Sequence, residues 1–86
     1  MPRYFFHLRN DLDVPDAEGK DLPDLDAARA QAVAFAVDMA AASLLEHRKL
    51  NLHHRIDLED EAGTILLTVA FGDAVAIETE PPPAGE

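Results

Sequence analysis

With 86 residues, 48% of them hydrophobic, and no cysteine, the chain has room for one small domain and no disulfide to brace it. Seventeen Asp and Glu against seven Lys and Arg give a formal net charge of −10, which repels phosphate backbones and sets nucleic acid aside as a direct partner. The first residues lack the apolar run of a signal peptide, and Asp38 and Ser43 interrupt the Ala-rich stretch that would otherwise suggest a membrane span, so a reducing, cytoplasmic setting without membrane contact is expected.

Alternation predicts a first strand over residues 3–9, with Tyr4, Phe6 and Leu8 on one face and Phe5 and His7 on the other. Residues 10–24 read as an acidic loop with Pro15, Gly19 and Pro23, in which Gly19 makes a turn and Lys20–Leu22 runs briefly extended. Asp24 is the expected N-cap of a long helix, with Asp26 in its first turn where the helix dipole favours an anion. That helix is expected to reach Glu46 or Arg48, with His47, Arg48 and Lys49 suiting its C-terminal end and Asn51 as the stop.

Two apolar stripes mark the helix. Leu25, Ala28, Ala32, Phe35 and Met39 form one, expected to face the sheet; Val33, Val37, Ala40 and Leu44 form a second. A sheet covers one stripe, and the other needs a partner, for which a second copy of the chain is the natural candidate. A second strand follows over residues 55–59 with Ile56 and Leu58 inward, then a turn at 60–63 with Gly63 at positive φ. The third strand, 64–71, is apolar on both faces and is therefore expected at the centre of the sheet. Residues 72–77 fit either a helical turn capped by Asp73 or more strand, and the Pro-rich residues 78–86 read as a disordered tail beyond a domain of residues 1–77. The expected fold is α+β, β-α-β-β, with a three-stranded antiparallel sheet in order 2-3-1 and the helix on one face.

Met1-Pro2-Arg3-Tyr4-Phe5-Phe6-His7, Glu18-Gly19 with Leu22-Pro23-Asp24-Leu25 and Ala27-Ala28-Arg29-Ala30, and Asp60-Glu61-Ala62-Gly63 leading into Leu66-Leu67-Thr68-Val69 together resemble an uncharacterised domain-of-unknown-function family of short bacterial proteins that begin this way. The resemblance spans residues 1 to about 75 and implies one domain, with no activity to carry over. Leu22-Pro23-Asp24-Leu25 ahead of an Ala-rich helix is also similar to HicB-like antitoxin domains.

Chemistry-bearing residues are few. His47, His53 and His54, with Arg48, Lys49 and Arg55, form a cluster that lacks zinc-ligand spacing and reads as a solvated helix end. His7 would be a general base if Asp57 or Glu59 oriented it, but the expected strand order keeps them apart. Asp11 and Asp13 begin an acidic run that misses the calcium-loop pattern, and Ser43, the only serine, sits mid-helix away from any nucleophile motif. The expectation is a small acidic interaction or regulatory module, a homodimer without enzyme activity, cofactor or metal. Val33, Val37, Leu44, Phe5 and Leu66 are the expected dimer contacts. Asp11, Asp13, Asp16 and Glu18 are where a basic protein partner would dock. The alternatives are a small-ligand binder or enzyme subunit using His7, Arg9 and the outer sheet face, and an antitoxin-like protein that neutralises a basic partner.

Overall fold

The computed structural model describes residues 2–10 and 13–76. Five strands and two helices follow in the order β1 (Arg3–Arg9), β2 (Asp13–Val14), β3 (Lys20–Asp21), α1 (Leu25–His47), β4 (Arg55–Glu59), β5 (Ile65–Ala70) and α2 (Phe71–Ala74). All strand pairs are antiparallel, in the order β2-β1-β4-β5, with β3 also on β1. The α+β class therefore holds, with five strands where three were expected. Residue 11, residue 12 and the expected tail, 78–86, lie outside the described residues.

The expected order 2-3-1 is overturned: the central position belongs to β4, and β5 is an edge. The cause lies in residues 13–21. Read as a loop, they would leave the helix to start at the far end of β1. Instead β2 and β3 run back along β1, and the Leu22 N–H donates to the Pro2 carbonyl at 3.1 Å. The helix therefore starts beside the beginning of β1 and climbs its full length, so β4 descends antiparallel to β1 in the register Phe6–Leu58 and Leu8–Ile56.

Asp24 caps α1 as expected, its Oδ1 accepting from the Ala27 N–H at 2.8 Å. The helix stops at Arg48, which is left-handed at φ 56° and returns its N–H to the Leu44 carbonyl, so Asn51 is not the terminator. Gly63 takes φ 85° in the β4–β5 turn, where the Asp60 carboxylate accepts from the Ala62 and Thr64 N–H groups. Of the two readings for residues 72–77, the helical turn holds for α2, and Asp73 accepts from the Ala70 N–H at 3.3 Å.

The core lies between α1 and the sheet. Tyr4, Phe6, Ile56, Leu58, Val69 and Phe71 meet a row of alanines, Ala28, Ala32, Ala36 and Ala40, at helical i, i+4 spacing. Phe35 flanks that row and meets Phe6 edge-on at 5.1 Å between ring centres. The expected inward stripe is thus only half right. Leu25 and Met39 are exposed, and Ala40, placed on the partner-facing stripe, is buried. Small side chains let the helix sit close to the sheet, and the larger ones are pushed to the flanks and the back.

Candidate interaction surface

The inward row is alanine, and several of the larger apolar side chains of α1 stay exposed. Val37 is 39% exposed, Leu44 47% and Leu45 85%. Around them Ala30, Ala34 and Ala41 are exposed as well. No charge falls on this side between Arg29 and Glu46 except Asp38. An 18-residue window of α1 has a mean hydropathy of 1.3, and only 22% of it is buried. By length and composition alone the helix is apolar enough to cross a membrane, contrary to the expectation that Asp38 and Ser43 rule this out; here its alanine row is packed on the sheet.

The expected dimer residues divide between two sides of the molecule. Val37 and Leu44 are exposed on α1, Leu44 one turn beyond buried Ala40. Val33 is half-buried and packs against the core. Phe5 and Leu66 project from the sheet face opposite α1, so they cannot share one flat contact with Val37 and Leu44. Phe5 is moreover partly covered: its ring stacks on His7 at 6.5 Å, and Gly19 closes over it. A Cβ at Gly19, whose φ is +72°, would come within 2.8 Å of Phe5 Cε2 and 2.9 Å of the Tyr4 carbonyl oxygen.

That outer sheet face carries a polar network the sequence reading did not expect. With β4 next to β1, His7 lies in register with Asp57 and its Nε2 is 3.2 Å from Glu59 Oε2, so the expected separation of His7 from these carboxylates is corrected. Arg9 Nε reaches Asp57 Oδ2 at 3.0 Å, and the Thr68 hydroxyl donates to Asp57 Oδ1 at 2.8 Å. Burial raises the Asp57 pKa, but the Thr68 and Arg9 hydrogen bonds and the charges of Arg55 and Arg9 outweigh it and hold the carboxyl below the usual range. His7 itself is buried at 8% exposure. Its Nδ1 accepts from the Asp16 N–H at 2.9 Å, and its Nε2 faces Glu59 off the line of a hydrogen bond. Both ring nitrogens are directed at protein groups, so neither is presented to a substrate.

The acidic segment has split roles. Asp13 and Glu18 are exposed, and Asp11 lies outside the described residues. Asp16 is turned inward. Its Oδ2 accepts from the Phe6 N–H, and its Oδ1 from the Glu18 and Gly19 N–H groups, at 3.1–3.2 Å. Burial raises its pKa, and these three donors with nearby His7 more than reverse that, leaving the carboxyl below its ordinary value. Asp16 is therefore spent on the fold, and of the four expected docking residues Asp13 and Glu18 are the described ones that stand exposed.

The histidine cluster does not converge. His47 and His54 line an open groove of about 730 Å³ floored by Leu8, Met39 and Phe71, whereas His53 lies outside it. Among the described residues no three His, Asp or Glu side chains come together as metal ligands.

A family model with the description "Domain of unknown function (DUF6894)" matches residues 3–72, and the chain belongs to that family. The match agrees with the likeness of the MPRYFFH opening to an uncharacterised family, and gives the likeness to HicB-like antitoxins no support. No curated protein and no solved structure matches the chain at a significant level.

Proposed function

We propose that this member of a family of unknown function is an interaction module that works as a homodimer, binding through apolar surface. The observation that supports it is the outward side of α1. A 23-residue helix buries a row of alanines, with Val33 and Phe35 packed beside them, and leaves Val37, Leu44 and Leu45 exposed. Contiguous apolar surface of this kind marks an interface more often than a free surface. The outer sheet face, by contrast, is tied up in ion pairs and hydrogen bonds among its own residues. Light scattering at micromolar concentration is expected to give twice the chain mass. Val37→Asp is expected to return the chain mass while circular dichroism keeps the helix signal, because a carboxylate on the exposed side meets a partner and not the core. A wild-type chain mass at high micromolar concentration removes the reading.

A further inference from the structure

Asp16 holds residues 15–19 against β1 by two ties of opposite kind. Its carboxylate accepts from the Phe6, Glu18 and Gly19 N–H groups. Its own N–H donates to His7 Nδ1 at 2.9 Å. The carboxyl is held below its ordinary value, so the first tie keeps its charge well below neutral pH. The second needs the lone pair of a ring nitrogen, and that lone pair exists only while the nitrogen carries no proton.

A neutral imidazole has one accepting nitrogen and an imidazolium has none. A second ring proton on His7 therefore sets two N–H groups against each other at the Asp16 contact. Turning the ring over brings a carbon to the same place and supplies no acceptor. Turning it out to water is blocked as well: His7 is buried, Phe5 lies parallel to it at 6.5 Å, and Gly19 closes on Phe5. The way to relieve the contact is to move the Asp16 backbone.

The charges around the ring favour that proton. On β4, Glu59 Oε2 is 3.2 Å from His7 Nε2, and Asp57 is in register with His7. From residues 15–19 the Asp16 carboxylate lies nearby, and on β2 Asp13 is in register with Arg9. Against these acids stand Arg9 and Arg55, and both turn to Asp57, at 3.0 and 3.6 Å. Among the described residues Glu59 has no cationic partner but His7. The helix α1 lies on the opposite face of the sheet and brings no charge to the ring. We infer that His7 is an acid-released latch: on gaining a proton it gives up the Asp16 N–H, and residues 15–19 loosen from the edge of β1. Imidazole changes charge between about pH 5 and pH 8, where ordinary carboxylates stay ionised. Closed above that change and open below it, the latch controls access to the Phe5 ring and the Phe6 N–H.

The test is amide exchange together with imidazole nitrogen spectra, by NMR on the full chain, from about pH 8 to about pH 5. At the upper end His7 Nδ1 is expected to show the shift of an unprotonated, accepting nitrogen. As His7 gains its proton, protection of the Asp16 N–H, corrected for the intrinsic exchange rate, is expected to fall about tenfold, the worth of one hydrogen bond. Protection at Ala32 and Ala36 in the buried helix row is expected to stay unchanged. His7→Asn places an oxygen where Nδ1 stood and cannot titrate, so Asp16 protection is expected to lose its pH dependence. Glu59→Gln removes the nearest acid and is expected to move the change to lower pH. Proton uptake by His7 with Asp16 protection unchanged overturns the inference, and so does a His7 that stays neutral throughout. The same loss of protection in His7→Asn would assign the effect to another group and overturn it too. If His7→Asn fails to fold, the wild-type spectra and exchange decide the matter alone.

Discussion

Asp16 ties three backbone N–H groups of the fold together. β1 pairs with β2 at Leu8 and Arg9 and with β3 at Arg3 and Tyr4, and the partner chain bulges away between them. The N–H of Phe6, in that gap, would be orphaned without Asp16 Oδ2, and the same side chain ties the turn at Glu18 and Gly19. Asp16→Asn keeps one oxygen and turns an amide toward a donor. It is expected to cost about 1–3 kcal/mol, the penalty of one unsatisfied buried group, measurable by urea denaturation. The sign of the acid response follows from the lowered pKa values of Asp16 and Asp57. A carboxyl lowered on folding adds stability above its unfolded value of about 3.9, and that stability disappears as pH falls through the folded value. Melting temperature is therefore expected to fall steadily below about pH 4, and less steeply in Asp16→Asn and Asp57→Asn than in the wild type.

The helix shows where sequence patterning succeeds and where it misleads. Its start was legible, because Asp24 after Pro23 is a cap with a clear chemistry. Its facing was not. Periodicity weights large side chains, and here the buried row is all alanine, so Leu25 and Met39 were read as inward and Ala40 as outward. The candidate surface was half legible for the same reason: Val37 and Leu44, read as partner-facing, are exposed, whereas Val33 beside them leans on the core. The strand order was hidden because β2 and β3 are two residues each, too short to carry an alternation. Once their return along β1 was missed, β5 was placed in the centre and His7 away from Glu59. The alanine row has its own test. Ala32 is fully buried, and Ala32→Leu has no room to enter; it is expected to lose about 1–3 kcal/mol of stability by overpacking. Ala34→Leu, on the exposed back, is expected to leave folding stability within about 0.5 kcal/mol per chain when measured under conditions that keep the protein monomeric.

At the scale of the whole molecule, charge opposes assembly. In the proposed homodimer, two copies bring together twice the net charge of −10. Long-range repulsion between two strongly acidic bodies is screened by salt, with a screening length that shrinks from about 30 Å at 0.01 M to about 8 Å at 0.15 M. Dimer dissociation measured by sedimentation is accordingly expected to weaken as salt rises over this range, the reverse of an interface held by ion pairs.

The two borders of the sheet set a limit on growth. On one side β2, β3 and the Asp16 carboxylate occupy the hydrogen-bonding groups of β1. On the other, β5 slips register at Leu58 and Glu59, and Asp73 takes the N–H of Ala70. An incoming strand finds only a six-residue template at the β5 border, with one N–H already taken. The proposed two-fold contact through exposed apolar residues of α1 would use the same patch on both copies. In the proposed homodimer such assembly would stay finite, because a self-complementary contact closes once two copies have met.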